Sequence, residues 1–283
     1  MGIMFIVLSS VLFAPLSQTA TKFLAGEFPI FQIMFFRALG QTTWMFLFFW
    51  PKHGFGMFRS ANLPLQLTRS TLLFVSSIFW IKAIAVVPLT TASAINFTAP
   101  ILVVMLSIPL LGEKVGLHRW GAVALGFVGA LIVIQPSSEG VPTAVLWLIG
   151  AAFLFALYQI LTRKLAAVDS EATSAIYTIL VSLFVSACVV PWHYQSPVGN
   201  EALAWGAFAA TGLLGGLRHF FVVKAYALAP ASVISPFFYG ELIGVTLLGF
   251  LVFGDLPTTA TWIGAAVIIS SGLYIAHRER IRR

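Results

Sequence analysis

From Ala231 to Phe253 the chain reads ASVISPFFYGELIGVTLLGFLVF, twenty-three residues that carry a single charge. As a helix it would be about 35 Å long, enough to cross a hydrocarbon layer about 30 Å thick. Nine more runs of this kind fall near 2–21, 29–50, 64–86, 91–111, 118–135, 143–164, 171–192, 202–224 and 258–277. Backbone N–H and C=O groups in lipid must be satisfied within the protein, so runs of about 20 residues are read as helices. The fold class expected is an all-α integral membrane protein with ten transmembrane helices. Only 9% of the 283 residues are charged, against about 25% in a soluble domain, which leaves no room for a soluble one.

Charge sets the expected orientation. Lys52, Arg59, Lys114, Arg119, Arg163, Lys164, Lys224 and the tail arginines Arg278, Arg280, Arg282 and Arg283 all fall at or near one set of span ends. The opposite ends hold only Lys22 and Lys82. The positive-inside rule then puts both termini in the cytoplasm, as an even number of spans requires. The expected location is a cell membrane, the inner membrane of a bacterium. This distribution turns the net charge of +7 away from nucleic acid. The tail HRERIRR is either solvated or held by anionic lipid. The first span lacks a basic leader and runs on to Lys22, so no cleaved signal is expected, and Ile6 stands where a myristoylation signal needs Ser or Thr. Cys188, the one cysteine, is read as a small packing residue, and no metal cluster or cofactor is expected.

The chain also repeats itself. Phe79, Lys82, Ala83, Ala85, Pro88, Ser93, Gly112 and Trp120 recur 142 positions later as Phe221, Lys224, Ala225, Ala227, Pro230, Ser235, Gly254 and Trp262. Glu113 meets Asp255, and Lys22 meets Lys164 at the same offset. The halves expected are 1–138 (spans 1–5) and 143–283 (spans 6–10, with the basic tail). Five spans is an odd number, so the second half enters the membrane inverted. Two inverted five-helix repeats are the architecture of secondary transporters, whose substrate site lies near the midplane between repeats.

The Pro–apolar–Gly-acid block at 88–113, the Trp after it, and their recurrence at 230–262 resemble the EamA-type carriers of the drug/metabolite transporter superfamily. The first half, PLTTASAINFTAPILVVMLSIPLLGEKVGLHRWGAVALGFVGALIVIQP, is most similar to the branch with riboflavin, S-adenosylmethionine and carboxylate carriers. The second half departs from that pattern at PASVISPFFYGELIG. The resemblance covers the whole chain and implies solute transport without ATP hydrolysis. No GxxxxGK[ST] phosphate loop contradicts it.

An ionisable group inside a span is expensive unless paired or hydrated, which makes it a functional candidate. Glu241 sits mid-span, opposite Ala99 in the other half, and is read either as a proton-coupling or cation-recognising group or as half of a structural ion pair. Arg218 is its candidate partner, or binds a substrate carboxylate. His219 is a second proton-coupling candidate, or a packed, hydrogen-bonded histidine. Arg37 either faces the cavity or snorkels, while Arg69 and Lys82 are read as snorkelling from span ends. Gln18, Asn96, Tyr158 and Tyr239 are substrate-binding candidates, against helix–helix hydrogen bonding. Pro100 with Pro109, and Pro236, mark interrupted spans in corresponding positions, and Gly215 and Gly216 a point of close approach or local freedom.

The function expected is secondary active transport of a small organic metabolite by alternating access, with protons as a candidate coupling ion. The embedded charges lean positive and favour an anionic, zwitterionic or aromatic substrate, such as a carboxylate, an amino acid or a riboflavin-like molecule. The alternative within transport is an exporter of S-adenosylmethionine or another cationic metabolite or drug. Outside transport it is a membrane scaffold or a channel. No HExxH motif or paired carboxylates suggest an enzyme.

Overall fold

The computed structural model describes residues 1–112, 117–135, 142–165, 168–228 and 235–281. Within them the backbone forms eleven helices, 3-10 turns at Gly54–Phe58 and Ser235–Gly240, and no strand. Helix α1 is Gly2–Ala25, with a π-helical stretch at Leu8–Phe13. Next come α2 (Ile30–His53), α3 (Leu63–Ile84), and a broken span made of α4 (Leu89–Asn96) and α5 (Ala99–Leu111). The first half closes with α6 (Leu117–Ile134). The second half holds α7 (Thr143–Leu165), α8 (Glu171–His193) and α9 (Glu201–Leu228). A 3-10 turn at Ser235–Gly240 leads into α10 (Glu241–Phe253), and α11 is Thr259–Ile281.

Local chemistry places these boundaries. Asn62 accepts from Leu65 N–H at 3.2 Å and Ser170 from Thr173 N–H at 3.0 Å, capping α3 and α8. Helices α5 and α10 end at Gly112 and Gly254, whose φ of 68° and 70° is the left-handed conformation that glycine adopts without a Cβ penalty.

The surface is that of a membrane protein. Phe184 is 72% exposed, Ile243 66% and Phe127 63%, while Gln32, Gln66 and Arg69 are buried. In water such a distribution would be unfavourable; in lipid it is the natural one. Among the described residues, five segments are long and apolar enough to cross a membrane by length and composition alone: Gly2–Ala25, Leu63–Ile84, Leu89–Leu110, Thr143–Thr162 and Ala172–His193. Trp120–Ile134, Phe237–Phe253 and Thr259–Tyr274 are shorter apolar helices. Helices α2 and α9 dilute their apolar character with Arg37 and Gln41, and with Arg218, His219 and Lys224.

Contacts recur under the 142-residue exchange. Ser271 Oγ donates to Ala122 O at 2.5 Å, and the exchanged positions, Gly129 and Gly264, meet closely enough that a Cβ on Gly129 would lie 3.0 Å from Gly264 O. Ser9 Oγ donates to Arg218 O, and the exchanged pair is bonded through Ser76 Oγ to Ala151 O. The span breaks exchange as well: α5 begins at Ala99 and α10 at Glu241, the same position in each half.

Several sequence expectations change here. The fourth span breaks at Phe97–Thr98, not at its prolines. Pro100 falls at the start of α5, where a missing N–H is tolerated, and α5 runs on past Pro109. Thr98 Oγ donates to Ile95 O at 2.7 Å and satisfies a carbonyl at the break. In the ninth segment a 3-10 turn that contains Pro236 precedes α10; the Pro236 side chain and residues 229–234 lie outside the described residues. Helix α9 is uninterrupted at Gly215 and Gly216. Cys188 is exposed on the outer surface, not packed inside. Arg69 does not snorkel: it is 1% exposed and donates to Thr162 Oγ1 at 3.1 Å, Thr178 Oγ1 at 2.6 Å and Ser174 O.

Candidate functional site

Glu241 lies at the first position of α10, where the unpaired N–H groups of a helix start favour a negative charge. Its carboxylate is 9% exposed and accepts from Arg218 Nη2 at 2.9 Å and Gln18 Nε2 at 2.5 Å. Three sequence candidates on three helices, α1, α9 and α10, therefore meet at one carboxylate. Gln18 Oε1 is buried with no partner among the described residues, so the cluster keeps an acceptor in reserve. Glycine brings these helices together: a Cβ at Gly244 would collide with Val11 and Pro15 of α1.

The neighbouring residue on α9, His219, points to a different place. With Arg37 and Tyr158 it lines a cavity of about 630 Å³ between α2, α3, α7, α8 and α9. Helices α2 and α3 are exchanged with α8 and α9 by the repeat, so the cavity lies between the halves. It runs from Arg37 towards Lys52, His53 and Lys224 at the end of the bundle that holds the chain termini. Lys52 and Lys224 are exposed at its mouth, whereas Arg37 is half-buried. Among the described residues no acidic side chain lines the cavity and none pairs with Arg37.

One face of α2 supplies much of the wall. Arg37, Gln41, Trp44, Phe48 and Lys52 follow one another at steps of four, three, four and four residues, the spacing of a single helical stripe. Trp44 stacks on Phe48 at 5.2 Å with ring planes 3° apart, and Phe48 stacks on Phe220 at 4.0 Å and 16°. Gly216 leaves room for this stack, since a Cβ there would collide with Trp44. Gly215 does the same for Gln41, 3.1 Å from a built Cβ. The Trp44 Nε1 donor is buried and has no partner among the described residues. Sequence reasoning missed the aromatic stripe, although its spacing below Arg37 was a readable signal.

Two candidates stay apart from both clusters. Tyr239 meets Phe97 edge-on at 5.2 Å and lies against Gly272, so it joins the two broken spans to α11. Asn96 is half-buried at the end of α4 and does not line the cavity. Tyr158 faces the cavity with the Arg69 guanidinium 5.0 Å from its ring centre. Lys82 is exposed, with its ammonium 4.8 Å from the Trp147 ring centre.

At the end of the bundle opposite the termini the halves are tied by charge. Lys22 pairs with Asp255 at 2.5 Å, donates to Val87 O at 3.2 Å, and lies 4.7 Å from the Phe253 ring centre. At the terminal end Asp169 joins the loops before α3 and α8, accepting from Ser60 Oγ at 2.6 Å, Ala61 N–H at 2.7 Å and Gln66 Nε2 at 2.8 Å. Burial alone would raise this carboxyl, but these three donors and the nearby Arg69 charge together hold it below the ordinary aspartate value.

A model of the EamA-like transporter family matches the chain twice, over residues 1–135 and 142–276. The chain is 33% identical over 222 residues to a riboflavin transporter of Vibrio cholerae, covering 78% of this chain and 74% of that one. It is 30% identical to a riboflavin transporter of Rhizobium johnstonii, with 99% and 92% covered. An S-adenosylmethionine uptake transporter of Rickettsia felis is 26% identical, with 96% and 92% covered. A solved crystal structure, 20% identical, matches with a TM-score of 0.66 over 98% of both chains, a likeness of fold.

Proposed function

The chain belongs to the EamA-like transporter family, a family of transporters and not of enzymes, and on that premise we propose that it is a secondary carrier working by alternating access. The cargo in this reading is a small organic metabolite, as the names of the relatives suggest. The observation that carries the proposal is a cavity between the halves, reaching the terminal end, with the other end tied by Lys22 and Asp255. That is the arrangement of a carrier open to one side, and two inverted halves, 1–138 and 143–283, supply the means to exchange sides. The membrane is read as a bacterial inner membrane with both termini cytoplasmic, supported by the bacterial relatives and the distribution of Lys and Arg.

In the same reading the Glu241 cluster couples cargo to protons. Protonating Glu241 removes the charge that holds Arg218, which frees α9 to move against α1 and α10. Purified protein in liposomes without nucleotide should show saturable counterflow of at least one solute from a panel of flavins, S-adenosylmethionine, carboxylates and amino acids. Glu241→Gln should abolish the pH dependence of that flux. A flux that does not saturate would mean a channel, and a requirement for ATP would rule out a secondary carrier.

A further inference from the structure

The cavity holds two features that no single simple solute would use. One is a cation without a counter-ion: Arg37 is half-buried, and no described carboxylate pairs with it. The other is an aromatic wall, the Trp44–Phe48–Phe220 stack, which includes a buried indole donor without a partner among the described residues. We infer that the cargo is a planar aromatic acid, its ring lying along the Trp44–Phe48 wall and its carboxylate or phosphate held by Arg37. This rests on the carrier reading and specifies its cargo.

Three arguments support it. A guanidinium inside a span with no protein partner is costly unless an anion or water compensates it, and a planar fork suits the two oxygens of a carboxylate or phosphate. The mouth lysines Lys52 and Lys224 are exposed and solvated, so they attract an anion without holding it, as charges near water interact weakly. The order of groups matters as well. Arg37 and Trp44 lie seven residues apart on one stripe, about 10 Å between backbones at 1.5 Å per residue, with Gln41 between them. A cargo that meets both carries its acid away from the ring, on a chain beside the Gln41 amide.

Three probes separate the parts: riboflavin has the ring and no acid, riboflavin 5′-phosphate has both, and succinate has an acid and no ring. Binding is read from tryptophan quenching and thermal shift of the detergent-purified protein, and transport from counterflow in liposomes. The expected result is that the phosphate ester binds at least tenfold tighter than either other probe. Arg37→Gln should erase its advantage over riboflavin, Arg37→Lys should keep part of it, and Trp44→Leu should weaken both flavins alike. Equal affinity for riboflavin and its phosphate, a preference that survives in Arg37→Gln, or no binding of the phosphate ester overturns the inference. Preferred binding of the ester with counterflow of no solute would uphold the cargo site and sink the carrier reading instead. Arg37→Lys serves where Arg37→Gln fails to fold, because it keeps the charge and loses the fork.

Discussion

At the scale of single residues, the protein stabilises buried charge with few partners, and removing any one should be felt. Breaking the Arg218–Glu241 pair leaves a carboxylate in the bundle with Gln18 alone. Because the Arg218 side chain stays 32% exposed, water offsets part of the loss. Glu241→Ala or Arg218→Ala is therefore expected to cost roughly 1–3 kcal/mol, below the 3–5 of a fully buried pair. The double variant should cost less than the sum of the two, measured by denaturation in detergent. Asp169 makes a prediction about acid. Its folded value is depressed, so its contribution is present above the ordinary aspartate value and lost as pH falls through the folded one. Asp169→Asn should be less stable than the parent at neutral pH, and the gap in Tm should close in strong acid. An unchanged gap would mean that Ser60, Ala61 and Gln66 do not favour the charged form. Glu241 and Arg218 were legible as residues because charge in an apolar run stands out. Arg218 was a candidate partner for Glu241, but nothing in the sequence brought Gln18 to them, since spacing along one helix says nothing of what faces it across another.

At the scale of elements, small residues decide which helices touch. Helices α2 and α9 approach so closely at Gly40 and Gly212 that a Cβ on Gly40 would lie 2.7 Å from Gly212 Cα, a backbone atom that cannot give way. Gly212→Ala should therefore force the cavity walls apart and cost about 1–3 kcal/mol, the usual penalty for overpacking. The check is a fall in Tm together with weaker riboflavin 5′-phosphate binding. Gly206→Ala, on the same helix with nothing within 4 Å of its built Cβ, serves as the control: it should leave binding unchanged and hold or raise Tm, since alanine favours a helix over glycine. Element boundaries were largely visible in the sequence, since Pro, Asn, Ser and Gly mark helix ends by local chemistry. The break at Phe97–Thr98 was not. Proline drew attention to the right span, but Pro100 and Pro109 both fit within α5.

At the scale of the whole molecule, the Lys22–Asp255 pair and its bond to Val87 O tie the halves at the end opposite the termini, the closed end in the proposed carrier. Asp255→Ala should shift the population towards opening at that end. If the pair is worth about 1.4 kcal/mol, the shift is tenfold. Thr90, 1% exposed and, like Asp255 O, within 4.0 Å of a Cβ built on Gly249, can report it: in a Cys188→Ala background, Thr90→Cys should react faster with an impermeant maleimide once Asp255 is removed. Exchanging the charges, Lys22→Asp with Asp255→Lys, should restore slow labelling. Equal rates in all three would show that packing, not charge, closes this end.

What the sequence by itself determined is the presence of long helical spans, the membrane environment and the duplication. Each follows from local composition or from a fixed offset along the chain, and neither depends on which face of a helix turns inward. Only the tertiary structure decided how the helices are rotated. In lipid both faces of a helix can be apolar, so periodicity does not separate inside from outside as it does in water. Arg37 illustrates the point: the sequence left it either snorkelling or facing a cavity, and the packing of α2 against α9 turned it inward with Gln41, Trp44 and Phe48. Arg69, near a span end like any snorkelling arginine, was drawn instead into the polar groups of α7 and α8.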